Sequence, residues 1–299
     1  MTRVAAVDLG TNSTRLLVAD VEDGRISEVV RRLRITRLGE GVDEHRRLQD
    51  APMARVRSVL GEYRRELEAL GAVRALLVAT SAVRDAANGA AFLGELERDD
   101  GFVARLLGGD DEALLTFRGV TAGRALAGET LIVDVGGGST ELVVGGPDGV
   151  SFHASLNVGC VRMTERFLAS DPPSASELDA CAAHVGSLLP ELGARAAIGV
   201  AGTVTTLAAL DLGLAEYDAE RIHGHVLTAA AVERELELLG SLPLAQRREL
   251  PGLEPARAPV IVAGVVIVRE VMARYGLDEL EASERDILHG AALAAAELP

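Results

Sequence analysis

Two segments of this 299-residue chain are variants of one another: Asp8-Leu-Gly-Thr-Asn-Ser-Thr-Arg-Leu-Leu-Val18 and, 126 positions on, Asp134-Val-Gly-Gly-Gly-Ser-Thr-Glu-Leu-Val-Val144. Each is an aliphatic run, a turn of Gly and small polar residues, and a second aliphatic run, the pattern of a β-hairpin with a polar tip. The repeat continues downstream. The first half then reads as a strand over 26–38, a helix over 52–70, strands over 73–79 and 102–107, and helices over 83–96 and 110–125. In the helix over 52–70, Val56, Val59, Leu60, Tyr63, Leu67 and Leu70 follow helical spacing. The second half reads as strands over 149–156, 196–201 and 279–282. Its helices fall near Met163, over 178–192, 205–210, 229–239 and 256–274, and at the end of the chain. Three strands followed by alternating helix and strand, twice over, predict two similar α/β domains with mixed sheets, 1–127 and 128–299, across a hinged cleft.

Charge narrows the chemistry. All 30 basic residues are Arg and none is Lys, which excludes Schiff-base and P-loop lysine mechanisms. The 45 acidic residues leave a net charge of −15, opposed to a broad nucleic-acid or anionic-membrane surface. The two cysteines, Cys160 and Cys181, are too few for a disulfide framework and read as buried thiols in a reducing compartment. The longest aliphatic run, 260–268, is too short to span a bilayer, and the N-terminal run is too short for a secretory leader, so a cytoplasmic protein is expected.

At a glycine-rich tip, consecutive amides without sheet partners form an anion-binding concavity that needs no lysine. Gly10, Thr11, Asn12 and Ser13 on one tip, and Gly136, Gly137, Gly138, Ser139 and Thr140 on the other, are therefore candidate phosphate ligands. Asp8, Asp134 and Glu141 lie on the same segments. Carboxylates beside phosphate repel it unless a hard cation intervenes, so these three are candidate ligands of Mg²⁺ or another divalent cation.

The two repeats, together with Ala79-Thr-Ser-Ala-Val-Arg-Asp-Ala-Ala-Asn88, Leu156-Asn-Val-Gly-Cys-Val-Arg-Met-Thr-Glu-Arg-Phe167, Gly199-Val-Ala-Gly-Thr-Val-Thr-Thr-Leu-Ala-Ala209, His223-Gly-His225 and the segment from Ser283 to Gly290, resemble the exopolyphosphatase / guanosine pentaphosphate phosphatase (Ppx/GppA) family. The resemblance spans nearly the whole chain in the family's order. It implies duplicated actin-like (ASKHA, ribonuclease H-like) domains with five-stranded mixed sheets. It gives Glu112 the role of catalytic base, Arg84 that of a phosphate-binding arginine, and Gly202 and Thr203 a place near a ligand. In Gly109-Asp-Asp-Glu, Asp111 stands where relatives usually carry a first Glu. Arg162 and Arg166 read as structural contacts, and His223 with His225 lacks the further ligand a zinc site needs.

The implied activity is release of terminal orthophosphate from inorganic polyphosphate by metal-assisted water attack. The alternatives are 5′-phosphate hydrolysis of guanosine pentaphosphate, a non-catalytic alarmone or polyphosphate sensor, and a kinase of the same superfamily. Longer relatives carry an extra helical domain beyond the position of Pro299, which favours short chains or nucleotides here. A homodimer is also implied.

Overall fold

The computed structural model describes residues 1–193 and 196–298, and the chain divides into two units, Met1–Ala125 with Arg285–Pro299, and Leu126–Glu284. In the first, β1 (Thr2–Leu9), β2 (Ser13–Glu22) and β3 (Arg25–Ile35) form an antiparallel meander. Helices α1 (Val42–His45) and α2 (Asp50–Ala69) lead to β4 (Arg74–Ala79), which pairs parallel to β1. Next come α3 (Ser81–Arg84), α4 (Gly89–Asp100), β5 (Val103–Leu106) parallel to β4, and α5 (Gly109–Thr121). The sheet order is β3-β2-β1-β4-β5.

The second unit repeats this plan. β6 (Thr130–Val135), β7 (Thr140–Gly146) and β8 (Gly149–Leu156) form the meander, followed by α6 (Cys160–Phe167), α7 (Ala175–Leu188), β9 (Ala197–Val200) and α8 (Ala201–Asp211). After α9 (Ala219–Ile222) come β10 (Val226–Thr228), α10 (Ala229–Ser241), α11 (Leu244–Arg247), α12 (Ile261–Tyr275) and β11 (Glu279–Ala282). The order β10-β11-β9-β6-β7-β8 is that of the first sheet plus one edge strand. The second sheet is therefore six-stranded, not five-stranded as predicted. Its extra member, β10, has three residues, too few to show an alternating pattern. Both units have the predicted mixed-sheet architecture.

Helix α2 buries Val56, Leu60, Tyr63 and Leu67 as the spacing predicts, and the Tyr63 hydroxyl donates to the Thr14 carbonyl at 3.0 Å. The single helix predicted over 83–96 is broken. Asn88 bonds the Leu48 backbone twice, accepting its amide at 2.8 Å and donating to its carbonyl at 3.0 Å. A Cβ on Gly89 would lie 1.9 Å from the Val83 carbonyl oxygen, so only glycine fits this turn. The break ends α3 at Arg84.

The predicted boundary kept everything after residue 127 together. The last helix, α13 (Ile287–Ala296), instead belongs to the first unit, where its residues through Ala295 are all buried. It packs on Val4, Ala6, Leu17, Ala19, Leu76 and Val78 of the first sheet. It also meets α5 closely: a Cβ on Gly119 would lie 1.8 Å from the Asp286 carbonyl oxygen, and one on Gly290 1.9 Å from that of Leu115. Small residues here let the two backbones approach, and no local pattern announces a partner so distant in sequence. Among the described residues no helix is long and apolar enough to cross a membrane.

Candidate active site

Both tips close the same turn. The Gly10 amide donates to the Ser13 carbonyl at 3.0 Å, and the Gly136 amide to the Ser139 carbonyl at 3.0 Å. Each closes a turn that leaves further amides over: among the described residues, Thr11, Asn12, Gly137 and Gly138 donate to no carbonyl of the chain. Such amides suit an anion. Most carbonyls of these loops are engaged. Asn12 accepts from the amides of Thr36 and Arg37, and Thr11 from that of Gly39. Gly136 accepts from Cys160, and Gly137 from Val161 and Arg162, while the Arg162 side chain donates to the Gly138 carbonyl at 2.7 Å. Holding each carbonyl fixes the opposite face of its peptide, where the amide points.

The hydroxyls do less of this than predicted. Thr140 donates its single hydroxyl proton to the Val158 carbonyl at 2.6 Å, which ties the loop to the approach of α6 and removes that proton from any phosphate. The Thr11 hydroxyl bonds that of Ser81 on α3 at 2.9 Å. Gly159 is obligatory, because a Cβ there would lie 2.4 Å from the Gly137 backbone.

The copies differ in one pair. Opposite Asp134 across β6 and β7 stands Glu141; opposite Asp8 across β1 and β2 stands Arg15. The second copy juxtaposes two buried carboxylates, with Ser155 donating to Glu141 at 2.8 Å. In the first, Arg15 donates to Asp8 Oδ2 from Nε (2.9 Å) and Nη2 (2.7 Å), and its third nitrogen reaches Asp286 ahead of α13. Asp8 Oδ1 is buried with no hydrogen-bond partner. Burial pushes the Asp8 carboxyl up, against the pull of Arg15. Burial works the same way on Asp286, but Arg15 and His289 overrule it and hold that carboxyl far below the usual range. His289 in turn bonds Glu28 at 2.8 Å. Sequence reasoning quoted Arg15, Asp286 and His289 within motifs and assigned them no role. The repeat offset that aligns Arg15 with Glu141 was the available signal.

Glu112, on the first turn of α5, is buried, and its Oε2 accepts from Arg84 Nη1 at 2.9 Å. The same nitrogen donates to the Leu107 carbonyl at 2.9 Å, which anchors the guanidinium. Burial raises the Glu112 carboxyl to about 7, against Arg84, and the negative charges of Asp8 and Asp85 add to the rise. The first unit thus brings together the predicted base, the predicted arginine and the aspartate of the first loop.

The remaining candidates are placed differently. Thr203 is buried against Gly264 of α12, and Gly202 lies under the Arg257 guanidinium, which a Cβ would meet at 1.5 Å. His223 accepts from the Glu284 amide and His225 bonds Asp211, and among the described residues no three His, Cys, Asp or Glu side chains gather into a metal centre. Cys160 and Cys181 are free buried thiols, both pushed up by burial.

Two mixed-sheet units of one plan, each with a glycine loop between its first two strands, set the class of protein. The chain belongs to the Ppx/GppA phosphatase family, whose model matches residues 17–297. It is 41% identical over 318 aligned positions to exopolyphosphatase 2 of Mycobacterium tuberculosis, covering 99% of both chains. It is 30% identical to the guanosine-5′-triphosphate,3′-diphosphate pyrophosphatase of Vibrio vulnificus, covering 92% of this chain and 56% of that one. The crystal structure of an exopolyphosphatase-like protein superposes with a TM-score of 0.92 at 36% identity, over 100% of both chains.

Proposed function

We propose that this chain is an exopolyphosphatase that removes the terminal orthophosphate of inorganic polyphosphate by direct attack of water. The observation that carries the reading is Glu112: a buried carboxyl with a proton affinity near neutrality, fixed by Arg84 on the unit that also carries the first glycine loop. A general base works best when its pKa lies near the working pH, and burial supplies that shift here. In this reading the amides of both loops bind phosphate oxygens, Arg84 forks onto the terminal phosphate, and Glu112 orients and deprotonates the water.

A divalent cation belongs to the reading. Each unit, taken by itself, offers donors for one: in the first, Asp8 keeps a buried oxygen without a hydrogen-bond partner, and in the second, Asp134 and Glu141 juxtapose two carboxylates whose mutual repulsion a cation relieves. Magnesium commonly takes only one or two carboxylates and completes its shell with water and phosphate, so a three-acid cluster is not required. When bound, the cation neutralises charge on the phosphate oxygens. The chain's own net charge of −15 makes a metal-complexed substrate the form that approaches. The reading includes a cytoplasmic setting and a homodimer, the latter checked by sedimentation.

Guanosine pentaphosphate is the second reading, favoured by the similarity to the Vibrio vulnificus enzyme. Phosphate release from defined polyphosphates and from that nucleotide, with Mg²⁺ and with excess chelator, separates the two. Polyphosphate is expected to be the better substrate and chelator to abolish release. Glu112→Gln is expected to bind substrate yet turn over about a hundredfold more slowly or worse, the scale for loss of a general base. A near-normal rate in that variant overturns the assignment, and binding without turnover by the unaltered chain indicates a sensor.

A further inference from the structure

The chain's charge is unevenly spread. Residues 25–65 hold eleven arginines against six acidic residues, a local charge of +5 in a molecule whose total is −15. Most of these guanidinia are committed: Arg32 to Glu66, Arg55 to Glu40 and the Thr36 carbonyl, Arg57 to Glu95, and Arg64 to Glu68. Arg31 and Arg37 also have partners. Arg46 and Arg47 are exposed, and among the described residues no group accepts from either side chain; Arg25 and Arg65 share this, but only Arg46 and Arg47 stand next to each other. Two adjacent like charges without a counter-ion form a ready anion contact.

Their position is fixed by the fold. Arg46 ends α1 in the left-handed conformation (φ 52°), an uncommon state for a side-chain-bearing residue that the surroundings must enforce. Its carbonyl accepts the Ala87 amide at 2.9 Å, and the next contact along is the double bond between Leu48 and Asn88. Ala87 follows Arg84 by three residues. The segment leading into α1 is bound to the first glycine loop, through Thr36, Arg37 and Gly39. One connected stretch therefore carries the unpaired arginines from the loop of Thr11 and Asn12 to the turn that holds Arg84.

We propose that Arg46 and Arg47 form an outlying anion subsite that takes phosphates of a polyphosphate chain beyond the terminal one and thereby sets a preference for chain length. The inference rests on the exopolyphosphatase reading and adds to it a contact that short substrates engage less than long ones. Guanidinium forks match phosphate oxygens, and every further phosphate that pairs with one releases counter-ions, so affinity there falls with salt.

The test compares Arg46→Gln/Arg47→Gln with the unaltered chain and with Arg25→Gln/Arg98→Gln. The latter removes the same charge from two exposed positions on the first unit, one of them at the start of β3, opposite Glu22 and remote from the loop. The KM of a long defined polyphosphate divided by that of tripolyphosphate is expected to rise about tenfold in the first variant, with kcat on the long chain within about twofold. Direct binding of the long chain, measured on a Glu112→Gln background, is expected to weaken in parallel. The slope of log affinity against log salt is expected to shrink by about one to two, the scale for two lost phosphate contacts. An unchanged ratio and unchanged binding, or equal effects in the control variant, overturn the subsite. If the unaltered chain hydrolyses no polyphosphate, the exopolyphosphatase reading fails while the binding comparison still decides the subsite.

Discussion

Glu112 meets two opposed demands, because the burial that suits the proposed base also makes its charge costly. Its carboxyl rises from an ordinary 4.5 to about 7 on folding, against the attraction of Arg84. The native state therefore holds that proton more tightly than the unfolded chain, and stability falls as pH climbs between those values. Glu112→Gln is expected to melt a few degrees higher than the unaltered chain at pH 8 and within about a degree of it at pH 5, checked by calorimetry. Activity runs the other way: kcat/KM is expected to drop as pH falls below about 7, and the residual rate of Glu112→Gln to lack that limb. Asp286 makes a contrast. Removing it as Asp286→Ala leaves the buried Arg15 short of a partner, at a cost of about 3–5 kcal/mol in urea unfolding, while Asp286→Asn is expected to cost less. Glu112 and Arg84 were legible in the sequence because each sits in a local motif. The bond between Arg15 and Asp286 crosses 271 positions, and no window of sequence contains both.

Among the elements, the second glycine loop depends most on a residue outside it. Gly159 lets the start of α6 lie against the Gly137 backbone, and α6 then supplies the amides and the arginine that hold the loop carbonyls. Gly159→Ala is expected to destabilise the unit by about 2–4 kcal/mol and to weaken phosphate binding, because neither contacting partner is a side chain that can rotate away. Gly71→Ala tests the alternative that any glycine matters: its φ is +71° with nothing within 4 Å of the added Cβ, so about 1 kcal/mol of backbone strain is expected and no change in activity. Urea melts of both variants beside phosphate-release assays check the pair. The hairpins, α2 and the central strands could be read from alternation and helical spacing. The break between α3 and α4 could not, since its cause is a bond from Asn88 to Leu48, forty residues away.

At the scale of the whole molecule, the first unit is assembled from both ends of the chain. Nine consecutive residues of α13, Ile287 to Ala295, are buried, and its fully buried Leu288 alone is worth about 1.5–3 kcal/mol. The sequence showed the apolar helix and the repeat, and the repeat itself suggested that each half would keep its own helices. It could not show that the last helix returns to the first sheet. Residues 126–284 expressed alone are expected to melt cooperatively. Residues 1–125 alone are expected to expose the sheet face lined by Val4, Ala6, Leu17 and Leu76 and to aggregate, and to recover when residues 285–299 are fused to them. Light scattering and circular dichroism check both.

The route of the chain also orders its birth on the ribosome. The second unit is contiguous and has everything it needs once Glu284 has emerged, whereas β1 waits through some 280 further residues for the helix that covers it. Glu112 rides on α5, which that same late helix clasps through Gly119 and Gly290, so the proposed hydrolytic centre is completed only after α13 has been made.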